Sequence, residues 1–499
     1  MAEPIGDLIA AVADRVPAAV ALTDRDHSLT YYELQRELAI RRAKFAYLVR
    51  PECVVAIVAE ASIDSMLDVL SLLGTARSVC VIDPSLPTDE QQRLIDHAGA
   101  DVVVGRRSAP LRAAVAEHPP GPAAVTFFTS GTTGFPKAVV HSHHSLLAGV
   151  FSTVAIQLQS LGEDTPTPVT PAELVAALER NATSGHDLGL VLCSALGPAT
   201  IGGLSMLLRA LLTGATFVVA GTFDPERVLD LIEQRRPTNL GLSPFMAQGL
   251  LRRQHRVRRD TSSLLLIGVG AGPAPRTLIG DLEDTFDCLG SCGYGLTETG
   301  GVVTFGRPTD TRQARAETVG APVPGAEVRI DTTAELTLVD SGELLVRTPA
   351  MMRGYLLGPG RIFRGVIDDD GWFRTGDRAR LRTDGTIELH GRLSELIIRG
   401  GRNIDPIQVE HVLEAHDSVE CAFVYGTPSR IAGEEDVHAA VVPRHDTSID
   451  VPTLRRFCAQ ALPSQSVPSR FRTVPDLPRA ADGSIRRLDA RLNLSESIR

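Results

Sequence analysis

Nine consecutive residues, Thr129-Ser130-Gly131-Thr132-Thr133-Gly134-Phe135-Pro136-Lys137, gather the groups that bind phosphate. Their hydroxyls and successive backbone N–H groups can donate to phosphate oxygens. Their glycines let the backbone approach an anion, and the lysine supplies charge. The run is not a P-loop, because Lys137 does not directly follow a glycine. Further along, Tyr294-Gly295-Leu296-Thr297-Glu298 sets an aromatic ring, a hydroxyl and a carboxylate within one short stretch. The ring offers stacking area, the hydroxyl a donor, and the carboxylate an oxygen ligand for a hard cation such as Mg²⁺. Gly270-Ala271-Gly272 and Thr375-Gly376-Asp377 are glycine-bearing turns that alone say little.

Elements must hold these residues. The apolar run Ala123–Phe128 reads as a buried strand ending at the phosphate-binding run. Short apolar runs at Val54–Val58, Ser78–Ile82, Thr216–Ala220 and Leu264–Val269 alternate with helical patterns at Ile63–Leu73, Leu204–Leu212 and Pro225–Gln234. That alternation predicts an α/β architecture with largely parallel sheets. Asp224-Pro225 reads as an N-cap followed by a first-turn proline. After about Gly320 the texture turns to short strands, at Ala326–Asp331, Gly342–Arg347 and Gly385–Leu389, which predicts a small β-rich subdomain. From about Ser394 a last block of roughly a hundred residues has the size of a small domain. The polar stretch Gln157–Asp187 carries no chemistry and reads as a surface excursion.

Composition narrows the function classes. The chain has 499 residues, enough for two or three domains, with 43% hydrophobic and 22% charged residues. A net charge of −10 argues against a nucleic-acid or anionic-membrane partner, since both need a basic face. The seven cysteines are scattered and mostly embedded in apolar runs, which predicts reduced core thiols rather than disulfides or a metal site. The opening residues read as an amphipathic helix without the basic region of a signal peptide. No apolar run reaches the roughly 18 residues of a membrane span. The expected compartment is the cytoplasm.

The motifs, in order and spacing, resemble the adenylate-forming acyl-CoA ligase superfamily over nearly the whole chain. Leu29-Thr30-Tyr31-Tyr32-Glu33-Leu34 resembles its early element, and Thr129–Lys137 its phosphate loop. The segments from Tyr294 and from Thr375 match two inner motifs, and Gly391-Arg392 with Gly400-Gly401-Arg402-Asn403-Ile404 matches the hinge region. Leu477-Pro478-Arg479 with Gly483 matches the terminal motif. The resemblance implies an N-terminal domain over 1–393, of two mostly parallel α/β sheet subdomains and a β-rich one, then a mobile α+β domain over 394–499. It implies two half-reactions: a carboxylate and ATP give acyl-AMP, then a thiol, usually that of CoA, displaces AMP. Carried over residue by residue, Thr129, Ser130, Gly131, Thr132, Thr133 and Lys137 cradle phosphate. Gly270, Ala271, Gly272, Tyr294 and Gly295 meet adenine, and Thr297 donates to the adenylate phosphate. Glu298 holds Mg²⁺ when triphosphate is present, and Asp377 and Arg392 meet the ribose. Gly400 and Gly401 border the path of the pantetheine arm. Arg399 and Arg402 either meet CoA phosphates or are solvated surface arginines. His143 either faces the acyl side or is a capping or surface histidine.

The terminal motif departs from the family at one position. Ser484 stands where the family has the lysine that bridges carboxylate and α-phosphate during adenylation. Losing one well-placed donor to developing charge costs about 3–4 kcal/mol, or roughly 10²–10³ in rate. The second half-reaction does not use that lysine. The expected activity is therefore acyl-AMP plus CoA giving acyl-CoA plus AMP, with the acyl-AMP supplied by a separate adenylating ligase, as in split ligase pairs of bacterial natural-product pathways. ATP and Mg²⁺ enter only if adenylation survives. Three alternatives stay open: a complete ATP-dependent acyl-CoA synthetase, a nucleotide-binding pseudo-enzyme or scaffold, and an acceptor other than CoA, such as a carrier protein or an amine. Ser394 takes the hinge position. Ala199 and Thr200 replace larger side chains that gate the acyl pocket in the family, which leaves room for a bulky polycyclic or aromatic acyl group.

Overall fold

The computed structural model describes residues 5–50, 53–74, 76, 78–105, 125–129, 136–160, 189–332, 341–399, 402–431, 434–444, 447–479 and 485–496. Two large sheets dominate. In the first, Val102–Val104, Val54–Val58, Ser78–Ile82 and Val125–Thr129 run parallel. Lys137–His141, Gly354–Leu356 and Ile362–Phe363 extend it antiparallel. In the second, six strands run parallel from Val20–Thr23 through Thr216–Val219, Val191–Ser194, Asn239–Leu242 and Leu266–Val269 to Leu289–Leu296. Ser28–Thr30 closes one edge antiparallel, and Gly301–Phe305 with Ala321–Pro322 closes the other. The parallel strands are those whose sequences read as continuous apolar runs, as burial on both faces requires.

One core joins the two sheets. Val55, Val79 and Phe127 of the first and Leu22, Leu192 and Phe217 of the second pack on the helices Ile5–Arg15, Ile63–Leu73, His143–Ser160 and Ile201–Thr213. Local signals set the helix starts. Asp224 caps Pro225–Arg235 by accepting from the Arg227 N–H at 2.8 Å. Thr30 and Glu33 form a reciprocal capping box at the head of Tyr31–Leu48. Tyr31, fully buried, donates from its hydroxyl to the Ala215 carbonyl at 2.8 Å. The early motif is therefore structural: it starts a helix and ties it to the second sheet.

The β-rich region is an antiparallel sheet of Glu327–Asp331, Gly342–Arg347, Phe373–Leu381 and Ile387–Arg392. Past Leu393 come a two-stranded ribbon, Ile397–Arg399 with Arg402–Ile404, and a three-stranded sheet of Val419–Pro428, Glu435–Pro443 and Arg470–Thr473. Helices Pro406–Glu414 and Val451–Ala461 cover one face of that sheet, and Arg487–Glu496 the other. All seven cysteines are free thiols, five of them buried. Among the described residues no helix is long and apolar enough to cross a membrane.

Candidate active site

A cavity of about 1340 Å³ opens where the two large sheets, the antiparallel sheet and the C-terminal region meet. It lies outside the carboxyl ends of the second sheet's parallel strands, where open α/β sheets bind ligands. Thr129 and Lys137 line it, and they are register partners across an antiparallel hairpin. The strands on either side of the Thr129–Lys137 run therefore pair with each other. Ser130, Gly131, Thr132 and Thr133 lie outside the described residues.

Gly270, Ala271 and Gly272 follow the Leu266–Val269 strand and line the cavity. Ala271 takes a left-handed φ of 66°. A residue with a Cβ pays about 1–2 kcal/mol for that conformation, so the turn is imposed by the chain on either side. Gly295 has a packing reason: a Cβ there would stand 1.9 Å from the Gly301 carbonyl oxygen.

Tyr294 is buried and donates from its hydroxyl to Asp377 Oδ2 at 2.7 Å. Arg392, the cross-strand partner of Asp377, donates from Nε to Oδ1 at 3.1 Å. Burial pushes the Asp377 carboxyl above its ordinary range, and the Arg392 charge pulls it back. Glu298 is 9% exposed and accepts from the Tyr355 hydroxyl at 2.7 Å. The same tyrosine ring lies 5.1 Å from Lys137 Nζ, so Tyr355 links the lysine to the carboxylate. Thr297 lines the cavity, and its carbonyl is held at 2.7 Å by Nε2 of His141. His141 is fully buried, and desolvation lowers its pKa to about 4. The neutral ring donates from Nε2 to Thr297, leaving Nδ1 to accept from Ser145 Oγ at 3.1 Å.

Tyr355 and His141 were missed by motif reasoning. Tyr355 pairs with Val139 from a strand more than two hundred residues later, so no local spacing marks it. His141 did carry a signal: it shares a strand face with Lys137 by the two-residue period. His143, two residues on and at the start of a helix, does not line the cavity. Its Nδ1 is enclosed in packing without a hydrogen-bond partner among the described residues. Ala199 and Thr200 do line the cavity, and the Thr200 hydroxyl accepts from the Gly203 N–H as a helix cap.

The C-terminal region presents its terminal segment to the cavity. Arg479, Arg486 and Arg487 line it, together with Glu395 and Gln408. Arg486 meets Glu90 of the N-terminal region at 3.4 Å and Asp489 at 3.2 Å. Arg487 is clamped by Glu395 at 2.8 Å and Glu410 at 2.9 Å. Arg479 lies 4.5 Å over the Phe245 ring. Ser484 falls within residues 480–484, outside the described residues, between Arg479 and Ile485, which pair across an antiparallel bridge. Arg399 does not line the cavity in this arrangement, and the side chain of Arg402 lies outside the described residues. Their ribbon packs toward Asp436, 3.9 Å from Arg399, and toward Glu435, which accepts from the Ile398 N–H. Gly400 and Gly401 lie outside the described residues, and Ser394 is exposed in a short turn at Leu393–Glu395.

Comparison with known proteins gives a consistent set of likenesses. The family model "AMP-binding enzyme" matches residues 106–356, and "AMP-binding enzyme C-terminal domain" matches residues 408–483. A 3-[(3aS,4S,7aS)-7a-methyl-1,5-dioxo-octahydro-1H-inden-4-yl]propanoyl:CoA ligase of Mycobacterium tuberculosis is 33% identical over 359 residues, 72% of this chain and 64% of that ligase. The match thus spans less than two thirds of that relative's length. A 2-succinylbenzoate–CoA ligase of Bacillus licheniformis is 28% identical over 95% of this chain and 97% of its own. The structure of o-succinylbenzoate CoA synthetase from Bacillus subtilis, in complex with its acyl-adenylate intermediate, superposes with a TM-score of 0.78 at 23% identity, covering 96% of both chains.

Proposed function

This chain belongs to the adenylate-forming AMP-binding enzyme family, and on that premise we propose that it forms acyl-CoA from acyl-AMP and CoA with little or no adenylation of its own. The observation that carries the proposal is the state of the terminal segment's cations. Ser484 stands at the lysine position of the family. The two arginines that follow it are already engaged, Arg486 by Glu90 and Asp489 and Arg487 by Glu395 and Glu410. An arginine neutralised by carboxylates cannot also neutralise a pentacovalent α-phosphate without giving them up.

The remaining parts suit thiol transfer. The CoA thiol, as thiolate, attacks the acyl carbonyl of the mixed anhydride. A carbon–sulfur bond forms, the carbon–oxygen bond to phosphate breaks, and AMP leaves with the electron pair. Thr297, Thr129 and Lys137 would hold the phosphate, and Asp377 with Arg392 the ribose. Such fixed groups act by positioning and by stabilising charge where it develops. Glu298, whose carboxylate oxygens suit a hard cation, would hold Mg²⁺ where adenylation is retained. The acyl-AMP would come from a separate adenylating ligase. Relatives named for a fused bicyclic dione acid and for succinylbenzoate support a bulky, carbonyl-bearing acyl group.

One observation favours a second reading. The terminal segment, with Arg486, faces the cavity, which suits a complete ATP-dependent acyl-CoA synthetase using that arginine. Pyrophosphate release from ATP with a panel of carboxylic acids decides between them. Robust release sinks the half-reaction proposal. CoA-dependent consumption of synthetic acyl-AMP without release supports it. No thioester from acyl-AMP would instead favour a nucleotide-binding scaffold.

A further inference from the structure

The three-stranded sheet of the C-terminal region has one face under the helix Arg487–Glu496. Tyr425, His438 and Arg470 form a row across that sheet, register partners on its three strands. By the two-residue period they share the helix-covered face with Phe423 and Ala440, and Arg472 stands on it beside Ala440. Phe471, between the two arginines, turns onto the opposite core. The strand rise puts Arg470 and Arg472 about 7 Å apart. Both are exposed, and neither side chain has a hydrogen bond or an ion pair among the described residues. Arg487 and Arg491 of the covering helix differ, for carboxylates meet both: Glu395 and Glu410 the first, Glu435 the second. His438 is 9% exposed, and its Nδ1 is enclosed without a hydrogen-bond partner among the described residues. An orphaned N–H costs more than an orphaned lone pair, which places the proton of the neutral ring on Nε2. The Tyr425 ring meets this imidazole edge to face at 5.8 Å, and its hydroxyl has no partner among the described residues.

We infer that Tyr425, His438, Arg470 and Arg472 form a site for a terminal phosphate group, separate from the cavity, which none of them lines. Such a group carries about 1.5–2 negative charges at pH 7, a match for two guanidinium groups. Each guanidinium presents a planar fork of donors that fits two phosphate oxygens. The phenol and the imidazole N–H are further donors in the same row. Of the other charges that reach His438, that of Arg399 is positive and that of Asp436 negative, and Asp436 already meets Arg399 at 3.9 Å. In a chain of net charge −10, two unpaired arginines on one strand face make a local field that draws an anion. Two sources carry the group: inorganic phosphate and the 3′-phosphate of CoA. Only the second rests on the proposed use of CoA.

The test uses the full chain at low ionic strength. Inorganic phosphate is followed by ³¹P line broadening, and CoA and dephospho-CoA by calorimetry. Dephospho-CoA lacks only the 3′-phosphate. Arg470→Gln combined with Arg472→Gln is expected to weaken phosphate binding at least about tenfold, because it removes two charge-assisted contacts. Tyr425→Phe should weaken it a few-fold. Arg36→Gln, at an exposed arginine of the N-terminal helix Tyr31–Leu48, should change nothing. Since Arg470 and Arg472 are exposed and unpaired among the described residues, the double variant should melt with the natural chain. If CoA binds at least about tenfold tighter than dephospho-CoA, and the double variant loses that gap, the occupant is the 3′-phosphate of CoA. If the two bind alike while the double variant loses inorganic phosphate, the occupant is free phosphate. A double variant that lowers neither phosphate binding nor a CoA gap overturns the inference, as does an equal loss in Arg36→Gln. Neither overturning result touches the proposed reaction. Failure of that reaction, with no thioester from acyl-AMP, leaves the phosphate measurement standing.

Discussion

The Tyr294 hydroxyl lies 2.7 Å from Asp377 Oδ2, joining the last parallel strand of the second sheet to the antiparallel sheet beside it. With Arg392 on the other oxygen, the carboxylate is fixed before any nucleotide arrives. Charge-assisted hydrogen bonds to a carboxylate contribute about 1.5–3 kcal/mol each. Asp377→Ala should therefore weaken AMP binding by about ten- to a hundredfold. Tyr294→Phe should weaken it only a few-fold, because Arg392 still orients the carboxylate. Calorimetry on both variants checks the order. An unchanged AMP affinity in Asp377→Ala would remove that residue from the nucleotide site.

Ser484→Lys tests the proposed departure from the family directly. One restored donor to the transition-state charge is worth about 10²–10³ in rate. Pyrophosphate release from acid and ATP should rise toward that extent, with thioester formation from acyl-AMP retained. Replacing Arg486 by alanine in the natural chain should leave the low release unchanged. A large fall there would mean that Arg486 already serves as the adenylating cation.

His141 is a positioning residue acting through Thr297. His141→Leu leaves the Thr297 carbonyl without its donor and should cost about 1–3 kcal/mol of stability. It should also lower kcat for thioester formation. His141→Asn keeps a donor and should recover part of kcat, a rescue that a merely space-filling role would not show. The pH dependence has a definite sign. A histidine held near pKa 4 instead of about 6.5 must shed its proton to fold, so it costs stability as pH falls from about 6.5 toward 4. The asparagine variant should lose that acid sensitivity. Above about pH 7 the two chains should differ by a constant factor.

Glu414 gives a second titration of opposite sense. Burial raises its carboxyl to about 7, and one oxygen accepts from the Ala422 N–H at 3.1 Å. The folded chain binds this proton more tightly than the unfolded one. The resulting stability is fully present below about pH 4.5 and is lost as pH rises through about 7. Denaturant melts of Glu414→Gln should be flatter over that window, by on the order of 2 kcal/mol. Parallel curves for the two chains would show that Glu414 is ionised throughout.

Local patterns made the fold legible where burial is two-sided or caps are strong. Val54–Val58, Ser78–Ile82 and Ile63–Leu73 are found at the residues their apolar runs predict, and Asp224 caps the helix its sequence announces. Edge strands were less visible. Gly354–Leu356 has no period of its own and exists because Lys137–His141 offers it an open edge. The same physics governs the site. Tyr294, Thr297 and Asp377 stand in motifs and are brought to one cavity. Tyr355 became visible only once pairing was known. His141 carries no motif match, only the two-residue period along its strand from Lys137.

A buried pair, Arg378 with Asp405 at 2.7 Å, joins the C-terminal region to the rest, and at the rim of the cavity the Arg479–Phe245 stack and the partly exposed pairs Arg486–Glu90 and Arg252–Glu420 add to it. Exposed pairs of this kind are worth at most about 1 kcal/mol and weaken with salt. An acyl-adenylate is destroyed by water as readily as it is used by a thiol. Under the proposed reaction, a cover fastened at its rim by exposed pairs sets a race: it would have to shield the anhydride until CoA arrives, then yield without delay. The yield of thioester per adenylate consumed, followed against ionic strength, would measure how well this chain keeps that race in favour of the thiol.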